Sequence, residues 1–163
     1  MAEGLRDFMQ THSALLDIHH LGLTVSDIET SVNFYRDALG LTLIRRRETD
    51  ADYIGEQTGY PGVRLSVASF RAGSDSHQSL EIVQYRNHNG GKAETSTNRS
   101  GSSHLCFVVA DLPSAHAQLS ARGVRFRSDP IKITSGPNEG GWVVYLYDPD
   151  NYIIELFQPP KMS

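Results

Sequence analysis

Alternation of apolar and polar residues marks strands in two related sets along the chain. In His20-Leu21-Gly22-Leu23-Thr24-Val25, the residues Leu21, Leu23 and Val25 form one apolar face, and His20, Gly22 and Thr24 share the other. In a later segment Leu105, Phe107 and Val109 make the apolar face, opposite Ser102, His104 and Cys106. A second kind of strand reads Ser79 to Tyr85, where Leu80 and Ile82 face a core and Ser79, Glu81, Val83 and Tyr85 face away. Its counterpart runs from Tyr152 to Phe157, with Ile154 and Leu156 inward and Ile153, Glu155 and Phe157 on the other side. Helical spacing follows each of the first strands. Asp27 caps a stripe of Ile28, Val32, Tyr35 and Leu39 that Gly40 stops, and Asp111 caps Leu112, Ala115 and Leu119 before Gly123.

The two sets are copies. His-Leu, a hydrophobe, Val, Asp and a hydrophobe recur in residues 20–28 and 104–112 at constant spacing, and the second copy has shorter loops. The reading is an α+β fold of two tandem βαβββ modules, forming a cupped mixed sheet around a metal-binding cavity. Residues 17–85 make the first module and 104–159 the second. Residues 86–103, rich in Asn, Gly, Ser and Thr without apolar periodicity, read as a flexible linker. Residues 1–16 read as a helical extension, from the spacing of Leu5, Phe8, Met9, His12, Leu15 and Leu16. The whole is one structural domain.

Composition narrows the function classes. Hydrophobic residues at 39% and charged residues at 21% are a globular balance, and a net charge of −4 gives no electrostatic reason for nucleic acid. No stretch approaches the roughly 20 apolar residues that span a bilayer, so no membrane partner is expected. The single cysteine, Cys106, excludes an intrachain disulfide and fits a reducing cytoplasm. Arg45, Arg46 and Arg47 are the one compact basic run; they read as a solvated strand end rather than a binding patch for an anionic substrate tail.

The chemistry lies on the polar faces of the repeated strands. A mid-strand carboxylate flanked by hydrophobes is costly to bury unless it is paired or bound to a cation. Two carboxylates and two imidazoles, placed by a repeat, answer that cost by holding one divalent metal through His20, Glu81, His104 and Glu155. Mixed imidazole and carboxylate ligation suits Zn, Ni, Mn, Fe or Co, and leaves positions open for water or substrate. Thr24, Val83, Tyr85, Cys106 and Phe157 would shape the substrate pocket. His19 alternates to the helix side and reads as structural, and His12, His77, His88 and His116 read as surface residues.

These residues resemble the vicinal oxygen chelate superfamily: glyoxalase I, methylmalonyl-CoA epimerase, fosfomycin and bleomycin resistance proteins, and extradiol dioxygenases. The likeness covers roughly residues 17–159 and rests on His20 to Val25 with Asp27, on Phe34-Tyr35 and Leu39-Gly40, and on Tyr147 to Leu156. Asn151 stands where the family has a glycine in its Asp-Pro-Asp-Gly turn, and Asn tolerates the left-handed conformation. The resemblance implies paired modules around a metal, often completed by homodimerisation, which the amphipathic N-terminus and open sheet edges also suggest. It implies a four-ligand branch of lyases and isomerases, because three-ligand members generally lack the position that Glu81 fills. Thr24 stands where glyoxalase I usually carries the arginine that holds the glutathione carboxylate, which points away from that substrate. The expected activity is proton abstraction from a small substrate that chelates the metal through vicinal oxygens, with enediolate stabilisation and Glu81 or Glu155 as base. The alternatives are a non-haem Fe(II) dioxygenase using His20, His104 and one Glu, and a metal-dependent binding or resistance protein.

Overall fold

A computed structural model of the chain describes residues 15, 17–73 and 76–161. The expected helix over 1–16 lies outside the described residues, apart from exposed Leu15. The first module begins with β1 (His20–Thr24) and helix α1 (Ile28–Asn33), which runs on through a π-helical turn at Phe34–Ala38. Then come β2 (Thr42–Thr49), α2 (Asp52–Thr58), β3 (Leu65–Arg71) and β4 (Ser79–Tyr85). The second module repeats the plan with β5 (Leu105–Val108), α3 (Leu112–Ala121), the two-residue strands β6 (Arg125–Phe126) and β7 (Ile131–Lys132), β8 (Trp142–Tyr147) and β9 (Ile153–Gln158).

Local chemistry sets these elements as the patterning predicts. The Asp27 carboxylate accepts from the Thr30 N–H at 2.8 Å, and Asp111 accepts from Ser114 at 3.1 Å, so both helices start on a carboxylate cap. Ile28, Val32 and Tyr35 are buried, as the first stripe requires, and Gly40 leaves the helix at φ 78°. In the π turn the Leu39 N–H bonds the Phe34 carbonyl at 2.9 Å, a five-residue step. Asn151 adopts φ 66°, the left-handed conformation its turn demands.

Each module has its own mixed sheet. The strand orders are β1-β4-β3-β2 and β5-β9-β8-β6, with β7 added on β8. β1 lies parallel to β4, placing Gly22 beside Glu81, and β5 lies parallel to β9, placing Cys106 beside Glu155. The Glu81 and Glu155 strands, β4 and β9, sit inside their sheets, while among the described residues β1 and β5 are edges with one side unpaired. The inward faces of both sheets merge in one core. Leu23, Ile82, Phe70 and Tyr35 of the first module share it with Leu112, Val144, Ile154 and Leu156 of the second.

A buried polar latch joins the modules through that core. The Tyr35 hydroxyl, fully buried, donates to Asp148 Oδ2 at 3.0 Å, and Asp148 Oδ1 accepts the Asp150 and Tyr152 N–H groups at 2.9 and 2.7 Å. Burial raises the Asp148 carboxyl above the usual carboxylate range, partly offset by these hydrogen bonds; burial also raises the Tyr35 phenol. Arg122 donates to the Ala38 carbonyl at 3.0 Å and the Ser26 N–H to Asp150 at 2.8 Å, which ties the halves at two further points. No helix among the described residues is long and apolar enough to cross a membrane.

Candidate metal centre

Strand alternation puts the four ligand-type residues on the sheet faces away from the shared core, and there they form two pairs. His20 Nε2 lies 3.9 Å from Glu81 Oε2, and His104 Nε2 lies 2.9 Å from Glu155 Oε2. The pairs are alike in exposure: the imidazoles are 42% and 41% exposed and the carboxylates 25% and 19%. Within one chain the pairs do not meet. Among the described residues no group of three or more His, Cys, Asp or Glu side chains is placed to hold a metal ion. The reason is the packing: the modules bury their helix sides against each other, so each polar face is turned from the common core.

Each carboxylate sits between two neighbours at equivalent positions. Glu81 has Gly22 on one side and Ser69 on the other, and Glu155 has Cys106 and Tyr145. Ser69 Oγ donates to Glu81 Oε1 at 3.2 Å, and the Tyr145 ring meets His104 edge-on with centroids 5.5 Å apart. Neither Ser69 nor Tyr145 was singled out from the sequence. The signal was available, since buried Ala68 and Phe70, and buried Val144 and Leu146, leave Ser69 and Tyr145 on the opposite face. The Cys106 thiol is pushed up to about 11, by burial first and then by the charge and hydrogen bond of Glu155. That direction disfavours the thiolate and so a nucleophilic role for the free side chain.

Three histidines, His19, His88 and the half-buried His116, differ from expectation. His19 precedes the first paired residue of β1, so alternation does not govern it. It is exposed, its Nδ1 lies 2.8 Å from His20 Nδ1, and the rings meet at 5.1 Å. That contact occupies one ring nitrogen of His20 and leaves Nε2 for Glu81. His88 is half-buried against Tyr60, with ring centroids 5.2 Å apart. His116 packs on Phe126, and His77 is exposed as expected.

A cavity of about 640 Å³ opens along β1 from Gly22 to Ser26, and its lining includes neither His20 nor Glu81. Gly22, Thr24, Tyr85, His88, Lys92 and Asp150 are among the residues that line it. Its volume suits a small molecule. The segment expected to be a free linker supplies one wall and is tied down: Asn87 donates to the Gly62 carbonyl at 2.9 Å, and Thr95 donates to Asn151 O at 2.9 Å. Of the five pocket residues proposed from sequence, Thr24 and Tyr85 line this cavity. Val83 instead packs against the small apolar cluster of Ile54, Val63, Leu65 and Val67. Cys106 and Phe157 lie on β5 and β9 of the second module.

Comparison with known proteins gives the family and the fold. The family described as Glyoxalase/Bleomycin resistance protein/Dioxygenase superfamily matches residues 17–156. A lactoylglutathione lyase of Pseudomonas aeruginosa is 30% identical over 161 residues, spanning 86% of this chain and 81% of that protein. A 2-epi-5-epi-valiolone epimerase of an Actinomyces species is 29% identical over 147 residues, spanning 88% and 79%. The fold matches that of a glyoxalase family protein from Bacillus cereus with a TM-score of 0.76 at 17% identity, over 91% of this chain and 97% of that one. The family match over residues 17–156 and the 30% identical relative place the chain in one family: it belongs to the Glyoxalase/Bleomycin resistance protein/Dioxygenase superfamily.

Proposed function

We propose that the protein is a divalent-metal-dependent lyase or isomerase of the glyoxalase and epimerase type, working as a homodimer on a small substrate with vicinal oxygens. The observation that carries this reading is the pair of matched His–Glu half-sites, each next to an unpaired strand edge. Two ligands are too few for a catalytic divalent ion of the Zn class, which takes three or more from protein. Setting β1 of one chain against β5 of a second copy would continue the sheet from β4-β1 into the partner's sheet. His20 and Glu81 would then face the partner's His104 and the partner's Glu155, and a twofold axis would make two such sites. The donor set of two imidazoles and two carboxylates fits Zn, Ni, Mn, Fe or Co.

When bound, the cation would supply electrostatic stabilisation for the oxygen charge that develops as a carbon-bound proton leaves. The chain's own residues do the rest. Glu81 or Glu155 takes the proton next to the substrate carbonyl and returns it, as a carboxylate in hydrogen-bond reach can. Ser69 fixes the orientation of Glu81 through its hydroxyl. Thr24 and Tyr85 would contact part of the substrate from the cavity. Thr24 offers a hydroxyl and no charge, which disfavours a glutathione thioester and favours a smaller or hydroxylated substrate; the similarity to an epimerase supports the same direction.

Solvent exchange tests the reaction class. With a substrate found by screening, the metal-loaded enzyme is expected to wash the α-hydrogen into deuterium oxide while an oxygen electrode registers no uptake. Stoichiometric oxygen consumption without exchange would replace this reading with a non-haem iron dioxygenase.

A further inference from the structure

The run Arg45-Arg46-Arg47 is divided between the two faces of β2. Arg46 pairs in register with buried Ala68 and forms an ion pair with Glu29 of α1, so it belongs to the helix side. Arg45 is opposite Ser69, and Ser69 bonds Glu81, so Arg45 shares the face of the metal half-site. Arg47 is opposite Val67, which packs with Val83 and Tyr85 on that same face. The register irregularity between Leu43 and Arg45 sets this arrangement, because it shifts the alternation just before the run. Arg45 is exposed and Arg47 half-buried, and neither guanidinium has an ion-pair or hydrogen-bond partner among the described residues.

Two unpaired guanidiniums therefore stand on the sheet face that carries Glu81, two strands away from it. Two inter-strand steps are about 10 Å, a span that an arginine side chain and a small substrate cover together. The acidic residue that follows them in sequence, Glu48, does not neutralise the pair: it lies opposite Ser66 and accepts a hydrogen bond from the Ser66 hydroxyl at 2.8 Å. A planar guanidinium binds carboxylate or phosphate oxygens through paired N–H donors, and two of them side by side select for an anion.

We infer that Arg45 and Arg47 form a specificity subsite for an anionic arm, carboxylate or phosphate, on a substrate whose vicinal oxygens bind at the His20 and Glu81 end of the same face. This rests on the chelation reading above and adds the substrate class. The basic run that the sequence presents as a solvated strand end thus has two roles: Arg46 pins α1, and its neighbours read the substrate.

The test uses metal-loaded protein and three hydroxamates, which bind a metal through two neighbouring oxygens: adipic acid monohydroxamate, its phosphonate analogue and its methyl ester. Calorimetric titration is expected to show an anionic form binding about tenfold tighter than the ester, and the tighter of the two names the arm. Arg45→Ala with Arg47→Ala should bring the anions to the level of the ester and leave the ester unchanged. Arg46→Ala, on the other face, should keep the preference. Equal affinity for all three in the wild-type protein would overturn the subsite. If no hydroxamate binds, the chelation reading fails, and the subsite is read separately by titrating metal-free protein with inorganic phosphate. Shifts of the arginine side-chain N–H resonances that vanish in the double variant support the subsite; their absence in the wild type overturns it.

Discussion

Replacing any one of His20, Glu81, His104 or Glu155 with alanine is expected to weaken divalent metal binding by about a hundredfold or more, read by calorimetric titration. Each change removes one bond to the cation and leaves the partner of its pair alone on a half-exposed face. The symmetry of the half-sites makes the four losses comparable in size. Glutamine at position 81 or 155 separates ligation from catalysis. Its carbonyl oxygen still binds a cation, while its amide is a poor base, so turnover should fall further than metal affinity. Full affinity without His104 would break the tetrad.

Asp148→Ala should cost about 3 kcal/mol or more, the largest stability loss expected from a single polar substitution here. The change strips partners from the Tyr35 hydroxyl and from the Asp150 and Tyr152 N–H groups together, at a residue that is 2% exposed. For a domain of this size that is a fall in Tm of roughly 6–12 °C. Tyr35→Phe removes one of the three bonds and should cost about 1–3 kcal/mol, since it leaves a buried carboxylate oxygen unsatisfied. Urea unfolding read by fluorescence measures both. A loss below about 1 kcal/mol for Asp148→Ala would mean that the latch does not hold the modules together.

The repeat made the fold legible. His20 and His104 head equivalent strands, Glu81 and Glu155 stand in equivalent partners, and the period of two put all four on the polar faces, where they are found. Asn151 was readable as a left-handed position for the same reason, because its turn has a chemistry of its own. Alternation could not show which way the modules pack. It assigns faces within a sheet and is silent on whether two inward faces meet in one core, which is what separates the half-sites in a single chain. Nor could it show that residues 88–93 and 95 line the cavity, since Asn87 and Thr95 are held by hydrogen bonds to distant loops and not by apolar periodicity. Three arginines in a row read as one solvated strand end until the register with β3 divides them between two faces.

The claim that two chains share each metal site has a direct test in mixed dimers. One chain carries His20→Ala and Glu81→Ala, the other His104→Ala and Glu155→Ala, with different affinity tags so that the mixed dimer can be purified. Each double variant alone should hold no tightly bound metal. In the mixed dimer one site combines both intact pairs and the other combines both damaged pairs, so one equivalent of metal per dimer is expected, against two for the wild type. If the site were built within a single chain, neither half of the mixed dimer would hold a complete set. A mixed dimer that binds no metal would contradict the shared site.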